Sequence, residues 1–117
     1  MNKNEMVKNV KALAIPALKV TYTMSVDELN ENVRNAMFER FVADVVTVSE
    51  LCGVSPIESR KFAIDFIQSN DYVKNCLTTV INLVLNGGFY NKMALDGFIN
   101  RILWADVRKA CNEKLNG

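Results

Sequence analysis

Arg101, Trp104 and Arg108 stand three and four positions apart, so on a helix they share one face. Arginine and tryptophan are the side chains most enriched where proteins grip one another, and a guanidinium stacks on an indole. Such a face offers recognition of a partner, not the making of bonds. The competing reading is a half-buried tryptophan covered by two arginine stems. Both readings require a helix over these residues.

Catalysis finds little material elsewhere in the chain. There is no histidine, hence no imidazole base at neutral pH, no His-containing triad and no imidazole metal ligand. No GxGxxG, P-loop or GxSxG pattern occurs. Asp27 and Glu31 lie four apart on one helix face, where solvated carboxylates are the ordinary case. Asp44 and Asp65 sit among apolar neighbours, and a helix edge turned to solvent accounts for both. Cys52 closes an apolar run just before Gly53, and the negative end of a helix disfavours an anionic nucleophile. With Cys76 and Cys111 it makes three isolated cysteines and no CxxC pair. Neither a zinc site nor a disulfide framework is expected, and each cysteine reads as a small apolar side chain in a reducing cytosol. The expectation is a non-enzyme with no cofactor and no metal.

A chain of 117 residues fits one domain. Half of it is apolar, enough for a core without staples. The net charge of +1 neither demands a nucleic-acid partner nor favours one. No stretch approaches the roughly 18 apolar residues of a membrane span. The opening "MNKNEMVKNVKALAIPAL" puts lysines before a short apolar run, but Pro16 and Lys19 interrupt it and no signal peptide is expected. Fourteen asparagines beside the missing histidine point to an AT-rich genome, bacterial or phage.

The elements that must position the Arg–Trp–Arg face follow from apolar spacing and punctuation. Residues 4–14 carry Met6, Val7, Val10, Leu13 and Ala14 at helical spacing, with Pro16 as the stop. Ser25 and Glu28 form a capping box at the start of a long helix, which carries Leu29, Val33, Ala36, Met37 and Phe41. Its end, "VVTV" at 45–48, is β-branched and reads as helix or strand. Gly53 breaks it, and Ser55, Pro56 and Glu58 supply a second start with a second capping box. Asn70 or Asp71 opens a fourth helix with Val73, Cys76, Leu77, Val80, Ile81 and Val84 inward, closed by "NGG". The last helix runs from about Lys92 to Leu115 and buries Leu95, Phe98, Ile99, Ile102, Leu103, Val107 and Ala110. The fold class is therefore mainly α: one domain over 1–117, a bundle of about five helices.

One segment breaks the helical pattern. In "LKVTYTM", Leu18, Val20, Tyr22 and Met24 alternate with Lys19, Thr21 and Thr23, the period of a strand. The expectation is at most one short strand near 18–24. Such a strand pairs with "VVTV", with its own copy across a dimer, or with a sheet edge on another protein.

Two family resemblances attach to these features. "VSELCGVSPIESRKF", residues 48–62, resembles the turn of helix-turn-helix DNA-binding proteins through Ser49, Cys52, Gly53, Val54, Ser55 and Phe62. Ser59 stands where that family buries a β-branched residue. The resemblance implies a recognition helix with Arg60 and Lys61 as DNA contacts; a capped turn between packed helices is the alternative. The order of strand and capped helix is similar to the ribbon–helix–helix repressors. That likeness implies a dimer whose Lys19, Thr21 and Thr23 read base edges.

Three function classes follow. The leading expectation is a cytoplasmic binding or regulatory protein, an adaptor or inhibitor, acting through a partner protein or as a homodimer. Arg101, Trp104 and Arg108 would be its partner-binding residues. The alternative is a dimeric DNA-binding transcription regulator. The third is a small structural component of a viral particle.

Overall fold

Five helices, joined by short turns and one longer loop, make up the described residues. They are α1 (Lys3–Ala12), α2 (Val26–Leu51), α3 (Pro56–Ser69), α4 (Asp71–Leu85) and α5 (Lys92–Asn116). The computed structural model describes residues 2–117. No strand occurs among the described residues.

The organising element is α2. At 1.5 Å per residue its 26 residues span about 39 Å, which sets the long axis of a body measuring 50 × 23 × 22 Å. α3, α4 and α5 all pack on α2, while α1 packs on α4. The apolar stripe named from spacing is the buried one: Leu29, Val33, Met37, Phe41 and Val45 of α2 are fully inside. They meet Ala63 and Ile67 of α3, Val73 and Val80 of α4, and Leu95, Ile99 and Leu103 of α5 in one continuous core. "VVTV" is helix: Val45 and Val48 are buried, and Thr47 Oγ1 donates to the Ala43 carbonyl at 3.0 Å. Burial on most sides overrides the β preference of branched residues.

The helix starts are governed by side-chain caps. Ser25 Oγ accepts from the Glu28 N–H at 3.1 Å, Asn70 Oδ1 from Val73 N–H at 3.0 Å and Asn91 Oδ1 from Ala94 N–H at 2.8 Å. The first capping box closes in a different way from that expected: the Glu28 carboxylate accepts from the Ser25 hydroxyl at 3.2 Å, not from a backbone N–H. The second does not form. Ser55 occupies the N-cap position without a side-chain bond to the helix. Pro56 fixes the entry there, and Glu58 turns instead towards Lys114 of α5 at 3.8 Å.

Two expectations near the N-terminus are corrected. α1 ends at Ala12, before Pro16 is reached, because Ala14 turns left-handed at φ 49°. The alternating segment 18–24 is not a strand. Leu18 N–H donates to the Ile15 carbonyl and Met24 N–H to Thr21, both at 3.3 Å, so turns bracket a loop. The alternation holds only in part: Val20 is buried and Leu18 and Met24 are partly covered, but Tyr22 is exposed like Lys19, Thr21 and Thr23 around it, because the chain turns at 22–23. No partner strand exists among the described residues, and "VVTV" is engaged in α2. The ribbon–helix–helix ordering therefore lacks its first element.

Candidate interaction surface

α5 is long enough, with its 25 residues, to bury one stripe and present another. The inward stripe is Leu95, Ile99, Ile102, Leu103, Val107 and Cys111. Opposite it, Met93, Gly97, Arg101, Trp104 and Arg108 recur at helical spacing and are all exposed. The Arg108 guanidinium lies 6.0 Å from the centroid of the Trp104 ring, at the outer limit of a cation–π contact. Even under that cover Trp104 stays 44% exposed, and Met93 is 82% exposed. Trp104 is thus half-exposed with one arginine over its ring, a geometry common to a contact face and to a half-buried tryptophan under arginine stems. An alanine-sized side chain at Gly97 would meet nothing within 4 Å, so no packing inside the chain requires a glycine there.

The frame that holds this helix in place was not anticipated. Arg40 on α2 donates from Nε to Asp44 Oδ2 at 3.0 Å and pairs through Nη1 with Asp96 Oδ1 of α5 at 2.8 Å. Lys92 Nζ reaches the other oxygen of Asp96 at 2.8 Å. The Arg40 side chain is only 12% exposed, so its charge depends on these carboxylates. Burial opposes its charge, but the bonds to Asp96 and Asp44 outweigh it and hold the guanidinium above its ordinary pKa. For Asp96 burial again works against the charge. Hydrogen bonds from Lys92 and Arg40 win, and the carboxyl lies below the ordinary 3.8. A scan for paired charges within one helix finds Arg40–Asp44 and Lys92–Asp96. The link between them crosses helices and leaves no trace in local spacing.

The turn at Gly53 is a helix C-terminal motif of defined geometry. Gly53 N–H donates to the Glu50 carbonyl at 3.1 Å and Val54 N–H to Ser49 at 2.9 Å, with Gly53 at φ 106° and Val54 buried. This is the Schellman arrangement, in which the residue after the cap is left-handed and the next one is apolar. Ser59, at the position that resembled a recognition-helix core site, is buried. Its hydroxyl lies 3.0 Å from both Glu50 Oε1 and the Pro56 carbonyl, tying α3 to the end of α2. Further along, Arg60 pairs with Glu39 at 3.3 Å, and Phe38 and Ile67 line one shared depression. α3 thus lies back along α2. The turn is capped, and α3 stays packed against α2 beyond it.

The remaining candidate residues are scattered. Arg60 has its charge matched by Glu39, and Lys61 is exposed along a groove between α3 and α5. That groove, about 630 Å³, is lined by Ile57, Phe62 and Phe66 with Ala110 and Lys114. Lys19 is exposed, and Thr21 and Thr23 spend their hydroxyls on each other at 3.0 Å. A depression of about 810 Å³ is lined by Arg108, Lys109, Asn112 and neighbouring residues of α5 with Gly117, so it is an open face and not an enclosed cavity.

Among the described residues no three Cys, Asp or Glu side chains gather as a metal-binding group. No helix among them is long and apolar enough to cross a membrane. No protein-family model, curated protein or solved structure matches the chain.

Proposed function

We propose that this is a non-enzymatic binding protein of the adaptor or inhibitor kind, which acts by docking the outer face of α5 on another protein. The observation that carries the reading is Trp104. It is a large aromatic side chain left 44% exposed on a rigid helix, with Arg108 over its ring and Arg101 one turn away. Tryptophan and arginine supply binding energy out of proportion to their number when a partner desolvates them. Gly97 adds support. A glycine in an exposed helix interior costs about 1 kcal/mol relative to alanine, and nothing inside this chain asks for it. A partner whose backbone approaches α5 closely would.

The test is affinity capture from host extract with the intact chain, in parallel with Trp104→Ala, Arg108→Ala and Ile57→Ser. Ile57 is 95% exposed on α3, away from the stripe, and serves as the control. A protein retained by wild type and Ile57→Ser, but lost with both α5 variants, supports the reading. Retention that survives Trp104→Ala and fails with Ile57→Ser moves the site to the α3–α5 groove. Light scattering at micromolar concentration separates a foreign partner from a second copy. Retention on duplex DNA at low salt, falling steeply as salt rises, would favour the DNA-binding alternative instead.

A further inference from the structure

The outer face of α5 has two chemically different halves. Met93 and Gly97 form the first. Met93 is 82% exposed, and a Cβ on Gly97 would meet nothing within 4 Å, so open space lies beside an apolar side chain. Arg101 and Arg108 form the second, with Trp104 between them, and all three are exposed. The two arginines stand two turns apart, about 11 Å along the axis.

Their charge is unmatched within the chain. Arg40, Arg60, Lys92 and Lys114 each sit in an ion pair, but neither Arg101 nor Arg108 joins one among the described residues. The Arg108 guanidinium lies over the Trp104 ring and not against a carboxylate. Two acids follow in the sequence. Asp106 and Glu113 line a depression with Phe66 and Asn70, which Lys109 also borders and the two arginines do not. Arg108 shares the open end of α5 with Glu113 but does not pair with it.

We propose that the partner of this face is an acidic amphipathic helix of another protein. The assignment rests on the docking role given to α5 above and names the chemistry that fills it. Carboxylates of the partner pair with Arg101 and Arg108, and a bulky apolar side chain occupies the space over Gly97 beside Met93. A guanidinium takes a carboxylate through two parallel hydrogen bonds, and carboxylates two turns apart on a helix lying alongside match the arginine spacing. Closing over Trp104 excludes water from both pairs and strengthens them. A second copy of this chain fits less well. About a twofold axis near Trp104, Arg101 of each copy falls opposite Arg108 of the other, and like charges meet. A nucleic acid would use the arginines but leave Met93 and Gly97 without a role, and a net charge of +1 adds little long-range attraction.

The experiment selects displayed peptides, built on an amphipathic helical frame with random polar positions, against the intact chain. The expected winners are acidic, with carboxylates flanking their apolar stripe. Their binding should weaken at least about tenfold in the double variant Arg101→Glu/Arg108→Glu and fall as salt rises. Selection against that variant should favour basic peptides instead. Both positions are exposed, so its thermal melt should match wild type. Winners that need Trp104 but show no acidic bias, or that bind the double variant equally well, overturn the acidic assignment and leave the docking face standing. Winners indifferent to Trp104→Ala overturn the docking face and this assignment together. An empty selection, or duplex DNA displacing the acidic winners from the arginines, also overturns the acidic helix.

Discussion

Arg40 Nη1 stands 2.8 Å from Asp96 Oδ1, and that single contact joins the middle of the central helix to the first turns of the helix carrying Trp104. Arg40 also holds Asp44, so one largely buried guanidinium answers two carboxylates. Removing it strands Asp44 and leaves Asp96 with Lys92 alone. Arg40→Ala should cost about 2 kcal/mol, which for a chain of this size lowers Tm by roughly 8 °C. Arg40→Lys should recover less than half of this, because an ammonium lacks the planar fork that spans two acceptors. Thermal melts of the three proteins check it.

The same contact predicts a dependence on acid. Asp96 is held below its ordinary 3.8 in the folded protein, so the stability it contributes is present above the unfolded value. It is lost as pH falls through the lower, folded value. Between roughly pH 5 and pH 2 the wild type should lose more Tm than Asp96→Asn, whose amide does not titrate there. Equal losses would show that the contact contributes no pH-linked stability.

Trp104→Ala should leave folding nearly intact. The residue is 44% exposed, so a loss of about 1 kcal/mol or less is expected. Binding of the partner should weaken at least about tenfold. A melt lowered by about 10 °C or more would instead place Trp104 among the core residues.

Two glycines should respond to alanine in opposite directions. Gly97→Ala, in open space on a helix, should raise stability by about 1 kcal/mol while weakening partner capture. Gly53→Ala should lower it by about 1–2 kcal/mol. Room exists there, since the nearest atom is Leu115 Cδ1 at 3.6 Å, but φ 106° suits no L side chain. Denaturant midpoints measured together separate the space available from the backbone conformation.

Ala14 offers the reverse exchange. It takes the left-handed position after α1, at φ 49°, where glycine is the usual occupant. The strain of an L residue there is about 1–2 kcal/mol, and the entropy lost by a glycine is about 0.5–1 kcal/mol. Ala14→Gly should therefore stabilise by about 0.5–1 kcal/mol. A lower midpoint in urea would show that the strain is already relieved by its neighbours.

By itself the sequence determined the helices and their inner faces. Apolar spacing of three and four requires one buried stripe per helix, so Leu29 through Val45, Val73 through Val84 and Leu95 through Val107 were legible before any packing was known. Ser25, Asn70 and Gly53 mark helix ends because their chemistry satisfies backbone groups locally. The Arg101–Trp104–Arg108 face was legible for the same reason, since it lies on one helix. Tertiary structure decided what depends on contacts distant in sequence. Leu18 to Met24 alternates as a strand would, but a strand is defined by the neighbour that accepts its hydrogen bonds, and the fold provides none. Arg40 with Asp96 and Glu58 with Lys114 each join residues from different helices. Only the packing of α3 and α5 against α2 brings those pairs within bonding distance.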